Sequence, residues 1–310
     1  MTHVLIISSI PGYASDPNEA YPPYFFRPDP IGDFNELKIP VKQVHGLIVI
    51  EATIDGQHGN FILDTGAPGL VLNKTYFRKG YEKKGATSTG ISGATERTTG
   101  IIVNLFKIKE LQYRKSFAYL SNLGPIEDKR GIKILGLIGV NLLLDFQLTI
   151  DLKKGVIVLN RCDKSGNAIH QKSSSDRVPA IKMPIQIVNN TIAVETSINN
   201  QSMLFAFDTG AETNVLDAKV FRKMMEEIII LRRSVMIGTA GGSAETLVGL
   251  IKVTNIGGKD FHKMRTIITK MESLGEAYGY EINGMLGYDF FARGIVKINF
   301  VKKELTMDLY

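Results

Sequence analysis

Two aspartates in this chain stand in the same four-residue motif, Asp-Thr-Gly-Ala, at Asp64 and Asp208. In each copy an apolar run leads into the aspartate and a second apolar run follows it, as in FILDTGAPGLVLN at 61–73 and LFAFDTGAETNVL at 204–216. A strand, a tight turn and a new strand would hold each carboxylate at the turn. Two carboxylates held close together cannot both ionise, so they share a proton. Such a pair can supply the general base and the general acid for attack of water on a carbonyl group.

The chain around the two motifs reads as an internal duplication. Each half has an alternating apolar stretch, Leu47–Ile54 and 192–198, then a short turn and a second stretch that ends at the aspartate. Alternation with a period of two predicts half-buried strands, so each half should contain a β-hairpin here. Residues 218–233 combine helix-forming residues with an apolar stripe and predict a helix. Glycine-, serine- and threonine-rich pieces at 88–100 and 238–249 are typical of exposed hairpin tips.

The duplication predicts two lobes. The C-terminal part of each half contains a glycine within an apolar run, followed by a predicted pair of strands. The spacing between matching positions is four residues longer at Gly139 and Gly287 than at the two aspartates, which places an insertion in the helical stretch of the second half. The predicted segments are an extended N-terminal arm (1–36), the first lobe (37–162), a polar linker (163–178) and the second lobe (179–310).

Composition excludes several classes of protein. The formal net charge is +6, but the basic residues are scattered among acidic ones without interleaved aromatics, so we expect no nucleic-acid partner. No apolar run reaches the ~18–20 residues that span a bilayer, which predicts a soluble chain without a transmembrane segment, exported if its N-terminus is that of a processed precursor. The five histidines show no ligand spacing and Cys162 is the single cysteine. We therefore predict no metal, no cofactor and no internal disulfide.

The two D-T-G-A turns, each followed by a glycine-rich piece and by two hydrophobic residues and a glycine (LIG at 137–139, MLG at 285–287), resemble the aspartic proteases. The resemblance covers roughly residues 37–310. The D-T-G-A form and the short halves are similar to retropepsin-like domains, whereas two halves in one chain are the arrangement of pepsin. The chain is thus similar to bacterial aspartyl-protease-like proteins. The resemblance implies a mainly β fold with two homologous retropepsin-like, β-barrel-like lobes and an active-site cleft between them.

The resemblance also implies a role for each motif residue. Asp64 and Asp208 would be the catalytic pair, one from each half. The remaining turn residues would support them: Thr65 and Thr209 through hydrogen bonds between the halves, Gly66 and Gly210 through close backbone approach, and Ala67 and Ala211 through small size. Gly139 and Gly287 would be structural glycines. The implied substrate-binding residues are Gly90, Ser92, Gly93, Gly241, Gly242 and Glu212.

Two features depart from the family pattern. Neither glycine-rich piece contains an aromatic residue, whereas the flap of pepsin carries a tyrosine. Retropepsins follow D-T-G-A with an aspartate that binds the substrate backbone, but the positions here are Pro68 and Glu212, of which Glu212 alone could do so. The site is therefore expected to be asymmetric. Asn141 and Asp289 lie two residues after Gly139 and Gly287, and they are either supports for the turns or ordinary polar residues at strand ends.

Three functions are consistent with these residues. The leading hypothesis is a monomeric aspartic endopeptidase that cleaves a peptide or protein substrate with a water activated between Asp64 and Asp208. The second is a non-catalytic peptide-binding protein that retains the fold. The third is another two-carboxylate hydrolase, such as a glycosidase, which the distance between the carboxyl groups would distinguish.

Overall fold

The computed structural model describes residues 3–4, 27–78, 81–89, 95–169, 178–237 and 243–310. In chain order the strands are β1 (His3–Val4), β2 (Glu36–Pro40), β3 (Lys42–Val44), β4 (Leu47–Ile54), β5 (Gln57–Leu63), β6 (Leu70–Asn73), β7 (Tyr81–Thr89), β8 (Thr95–Ile108), β9 (Leu111–Ser121), β10 (Gly136–Ile138), β11 (Phe146–Asp151), β12 (Val156–Arg161), β13 (Ile181–Pro184), β14 (Gln186–Val188), β15 (Thr191–Ile198), β16 (Gln201–Phe207), β17 (Asn214–Asp217), β18 (Ile228–Ile237), β19 (Ser243–Ile256), β20 (Lys259–Thr269), β21 (Gly284–Leu286), β22 (Gly294–Asn299) and β23 (Glu304–Leu309). The helices are α1 (Gly124–Arg130), α2 (Ala218–Lys223), α3 (Glu272–Tyr278) and α4 (Tyr288–Phe291).

The first lobe is built on a sheet whose strands follow the order β3-β4-β5-β10-β6-β9-β8-β7. The predicted hairpin is β4 and β5, and its turn residues Asp55 and Gly56 both have positive φ angles. Strand β10 lies between β5 and β6, parallel to the first and antiparallel to the second. Because the first D-T-G-A turn joins β5 to β6, β10 ties together the two sides of this turn.

The second lobe repeats this arrangement. Its sheet follows the order β14-β15-β16-β21-β17-β20-β19-β18, and β1 pairs with β18 at the edge. Strand β21 lies between β16 and β17 as β10 lies between β5 and β6, so the second D-T-G-A turn is held in the same way. The predicted mainly β fold with two homologous lobes is therefore confirmed.

A third sheet contains strands of both lobes, in the order β13-β23-β22-β11-β12-β2. The strand pairs that close the halves, β11–β12 and β22–β23, were expected from the sequence, but their union was not. Strand β11 pairs antiparallel with β22, with Leu148 opposite Ile298. This pairing satisfies backbone groups that would otherwise lie at an exposed sheet edge. The largest hydrophobic cluster continues through this sheet from one lobe to the other.

The prediction of a helix over 218–233 is wrong for its second part. Helix α2 begins after Asp217, whose carboxylate accepts the N–H of Lys219 and caps the helix, but it ends at Lys223. From Ile228 the chain forms β18, which pairs with β19. The run of three isoleucines that starts there prefers an extended backbone, because β-branched side chains lose rotamer freedom in a helix.

The arm and the linker are described in part. Residues 27–36 lie against the first lobe, where the Arg161 guanidinium donates to the carbonyl oxygens of Pro30 and Gly32. Residues 5–26 of the arm and 170–177 of the linker lie outside the described residues. Within the described part of the chain, no helix is long and apolar enough to cross a membrane.

Candidate active site

The fold brings the two D-T-G-A turns face to face between the lobes. Asp64 follows β5 and Asp208 follows β16, and both aspartates are fully buried. Strand β10 holds the first turn in place, because the N–H of Asp64 donates to Ile138 O at 3.0 Å. Strand β21 holds the second turn in the same way, because the N–H of Asp208 donates to Leu286 O at 3.0 Å. The two carboxyl groups thus lie on rigid elements rather than on free loops.

The threonines lock the two turns together by reciprocal hydrogen bonds. The backbone N–H of Thr65 donates to Oγ1 of Thr209 at 3.0 Å, and the N–H of Thr209 donates to Oγ1 of Thr65 at the same distance. Each hydroxyl then donates across to the other lobe, from Thr65 to Phe207 O at 2.7 Å and from Thr209 to Leu63 O at 2.8 Å. These four buried bonds set the relative position of the aspartates.

The carboxyl groups of Asp64 and Asp208 hydrogen bond to each other. The Oδ1 atom of each accepts the N–H of the glycine in its own turn, at 2.9 Å from Gly66 and 2.7 Å from Gly210. Oδ2 of Asp208 is buried and meets no N–H or hydroxyl donor in full hydrogen-bond geometry among the described residues. The hydrogen bond between the carboxyl groups of Asp64 and Asp208 therefore requires that one of the two carries a proton. Carboxyl groups that hydrogen bond to each other lie closer than the ~5 Å or more between the carboxyl groups of glycoside hydrolases, which argues against that alternative.

Burial raises the pKa of Asp208 well above its ordinary value, and the charge of Asp64 and the hydrogen bond to Asp64 raise it further. The N–H groups of Gly210 and Gly66 act in the opposite direction and are smaller effects. At a pH where an ordinary aspartate is ionised, the pair therefore retains a proton.

This raised pKa predicts that stability falls as the pH rises. Between the ordinary pKa of an aspartate and the raised one, the folded chain binds a proton that the unfolded chain has lost. The pair thus contributes stability that is present at low pH and disappears as the pH rises through the raised pKa, with a slope of up to about 1.4 kcal/mol per pH unit. Urea unfolding over a pH series should show a shallower loss for Asp208→Asn than for the wild-type chain. Identical slopes would contradict the prediction.

Glycines allow the turns to approach this closely. A Cβ atom on Gly66 would lie 2.5 Å from Oδ2 of Asp208, and one on Gly210 would lie 2.6 Å from Cγ of Asp64. Gly139 and Gly287 lie behind the turns, where a Cβ atom would come within 2.4 Å of a backbone oxygen. All four predicted glycines thus occupy positions where a side chain would displace the turns.

Two polar residues, Asn141 and Asp289, follow Gly139 and Gly287 by two positions and contact the same turns. Asn141 packs against the backbone of Gly69, and its N–H donates to Pro68 O. Asp289 accepts a hydrogen bond of 2.5 Å from the hydroxyl of Thr213. Both therefore lie where they can support the turns, as one of the two sequence interpretations expected.

Glu212 does not face the cleft as a free acceptor. Its carboxylate forms an ion pair with the guanidinium of Arg130, the last residue of α1 in the other lobe, and the two side chains are only 11% and 9% exposed. Arg130 is not among the site residues predicted from the sequence. A signal was available, because Arg130-Gly131 and Tyr278-Gly279 occupy matching positions in the two halves, and each residue ends a helix before a glycine with positive φ.

The other predicted substrate-binding residues, Gly90, Ser92, Gly93, Gly241 and Gly242, lie outside the described residues. The strands that flank them are described. Thr89 pairs with Thr95, and Ile237 pairs with Ser243, so both segments connect the strands of hairpins, as predicted. Within the described ranges, no group of His, Cys, Asp and Glu side chains could hold a metal ion.

Two family models match the chain, one in each lobe. A model described as "Aspartyl protease" matches residues 50–142, and one described as "gag-polyprotein putative aspartyl protease" matches 194–293. Each match contains one D-T-G-A turn and the glycine behind it. The chain is a tandem of two aspartyl-protease domains.

The aspartyl-protease domains are also similar to a solved structure. This is the crystal structure of an aspartic proteinase from Irpex lacteus, with 11% sequence identity and a TM-score of 0.49, over 88% of this chain and 97% of that chain. No curated protein sequence matches the chain at a significant level.

Proposed function

We propose that this protein is an aspartic endopeptidase with one site per chain, formed by Asp64 and Asp208. The observation that supports it is the buried carboxyl pair, which the reciprocal threonine hydrogen bonds hold in mutual contact. A carboxyl pair that shares one proton has both groups that peptide hydrolysis needs, a base for water and an acid for the carbonyl oxygen.

In the proposed reaction, the ionised carboxylate takes a proton from a water whose oxygen attacks the carbonyl carbon of the peptide bond. The protonated carboxyl group, for which the raised pKa favours Asp208 in the free protein, gives its proton to the carbonyl oxygen. The carboxyl group that now holds the proton from water gives it to the amide nitrogen as the carbon–nitrogen bond breaks. One hydroxyl group of the tetrahedral intermediate returns its proton to the pair, which leaves a carboxylic acid, an amine and the pair with its one shared proton. The substrate class is an extended peptide or protein segment, and the chain acts as a monomer because both carboxyl groups come from one polypeptide.

The test combines turnover with binding of a statine-type transition-state mimic. The protein is incubated with a mixture of unrelated peptides between pH 3 and 7, the products are identified by mass spectrometry, and the mimic is titrated by calorimetry. We expect internal cleavage that the mimic inhibits, with one mimic bound per chain. Binding without cleavage would instead indicate the non-catalytic peptide-binding protein. Absence of both would overturn the proposal.

The close approach at the turn glycines predicts a loss of activity without loss of either aspartate. Gly66→Ala or Gly210→Ala must push the opposing carboxyl group away, since the new methyl group would lie within 2.6 Å of it. A displacement of about 1 Å costs about a hundredfold in rate, so kcat/KM should fall by about that factor. Gly124→Ala, at the start of α1, is the control, because the nearest atom to its new methyl group is a side-chain oxygen at 3.1 Å. Equal activity of all three variants would show that the pair tolerates displacement.

A further inference from the structure

A cavity of about 580 Å³ lies in the second lobe, between α2 and the strands β18, β19 and β20. Its surface is mainly apolar and comes from Phe221 of α2, Val235 of β18, Leu247 of β19 and Ile268 of β20. Sites that bind small organic molecules have this volume and this kind of lining. None of the described residues that line it belongs to a D-T-G-A turn, so the cavity is distinct from the candidate active site.

Positive charge surrounds the mouth of this cavity. The charged residues that line it are three basic ones and one acidic one: Arg222, Arg233, Lys270 and Glu245. All four are exposed, whereas Ile268 is buried and Phe221 and Leu247 are partly buried, so the charges lie nearer to solvent than the apolar surface does. The carboxylate of Glu272 nearby already has a counter-charge, the ammonium group of Lys219 at 2.5 Å. The ligand that complements this cavity therefore has an anionic head group and an apolar body.

The first lobe shows that the fold does not require this lining. Val235 pairs with Glu245 in the second lobe as Thr87 pairs with Arg97 in the first, so the two hairpins can be compared position by position. Three cavity residues replace small polar residues of the first lobe, in the pairs Val235 and Thr87, Leu247 and Thr99, and Lys270 and Asn122. Two apolar side chains and one cation of the cavity are therefore particular to the second lobe.

Backbone pairing narrows the class of apolar body. Strand β19 pairs with β18 on one side and with β20 on the other, so its backbone groups are used within the sheet. A peptide laid against this wall would leave its own N–H and C=O groups without partners, which is costly away from water. A hydrocarbon chain has no such groups, so the cavity favours it over a peptide.

We propose that this cavity binds a free fatty acid. The carboxylate lies at the mouth, among Arg222, Arg233 and Lys270, and the hydrocarbon chain lies against Phe221 and Leu247. The hydrophobic effect supplies affinity in proportion to the apolar area removed from water, and the cations select for the charged head group. This inference does not depend on the proposed peptidase activity, because the cavity and the carboxyl pair share no residue.

Calorimetric titration of the full chain with decanoate, below the concentration at which it forms micelles, tests the proposal. We expect one decanoate per chain and an affinity that falls as salt is added, because the head group meets exposed cations. Decanol has the same chain length without the charge and should bind at least about tenfold more weakly. Equal affinity for decanoate and decanol would show that the cations do not recognise the ligand, and would overturn the proposal.

Variants that copy the first lobe test where decanoate binds. Lys270→Asn and Val235→Thr each introduce the residue that the first lobe has at the matching position, and both side chains are exposed, so the chain should still fold. Each should weaken decanoate binding about fivefold, through the loss of a cation or of an apolar contact. Lys252→Asn is the matched control and should leave the affinity unchanged. Lys252 is an exposed lysine of β19 that also corresponds to an asparagine, Asn104, but it does not line the cavity.

Three further results would overturn the inference. The first is that the wild-type chain does not bind decanoate. The second is that both cavity variants, with unfolding midpoints like that of the wild-type chain, bind decanoate as tightly as it does, which would place the ligand elsewhere. The third is that the chain sediments with phosphatidylglycerol vesicles but does not bind free decanoate, which would assign the basic and apolar residues to a membrane surface instead.

Discussion

Asp64→Asn and Asp208→Asn should each abolish peptide hydrolysis, with kcat/KM at least about a thousandfold below the wild-type value. Each substitution keeps the volume of the side chain but removes one of the two proton-transfer groups. Folding should survive, because the threonine hydrogen bonds that join the turns do not involve the carboxyl groups. Steady-state hydrolysis of a fluorogenic peptide, measured with the thermal unfolding midpoint of each variant, checks both parts of this prediction.

The chain offers a matched control for these variants. Asp151 is a buried aspartate in the sheet shared by the lobes, and its counterpart in the second half is already an asparagine, Asn299. The two side chains even accept equivalent backbone hydrogen bonds, from Lys154 and Lys302. Asp151→Asn should therefore retain activity. The double variant of Asp64 and Asp208 should be no worse than either single one, because the two groups act as a unit. Activity within tenfold of wild type in either single variant would refute the protease assignment.

Breaking the ion pair between Arg130 and Glu212 should produce the largest loss of stability. Arg130→Met leaves the carboxylate of Glu212 buried without its counter-charge, and the expected decrease in the free energy of unfolding is about 3–5 kcal/mol. Because the pair joins the two lobes beside the aspartates, the variant should also open the site to solvent. Urea unfolding gives the first quantity, and hydrogen exchange of the D-T-G-A turns gives the second.

A double-mutant cycle distinguishes the pair from general damage to packing. Glu212→Leu in the Arg130→Met background removes both charges and should recover most of the lost stability. The pair of Lys42 and Glu51 serves as the control, because both side chains are about half exposed. Lys42→Met should change stability by no more than about 1 kcal/mol. If Arg130→Met proved as mild as Lys42→Met, the buried pair would have no structural importance.

Much of the first-order architecture follows from the sequence alone. Alternation with a period of two predicts the hairpins β4–β5 and β15–β16, and the repeated D-T-G-A motif predicts the pairing of Asp64 with Asp208. These signals are local, since a strand pattern or a turn motif is complete within about ten residues. The duplication adds a second reading of the same fold, so an ambiguous segment in one half can be compared with its counterpart in the other. Where the counterpart gives no help, as at 228–233, an apolar stripe fits a helix as well as a strand, and the sequence predicts the wrong one.

Tertiary structure alone decided how the two halves meet. The pairing of β11 with β22, the ion pair of Arg130 with Glu212 and the burial of Tyr278 all join residues that are far apart in the chain or belong to different lobes. No local pattern contains them, because the first two depend on the rotation that places one lobe against the other and the third depends on packing within the second lobe. The sequence already makes the site asymmetric, because Glu212 in the second half corresponds to Pro68 in the first. The rotation of the lobes decides which partner Glu212 meets, the guanidinium of Arg130. A duplicated sequence thus determines two similar lobes, and the contacts between the lobes determine how their common site differs from a symmetric one.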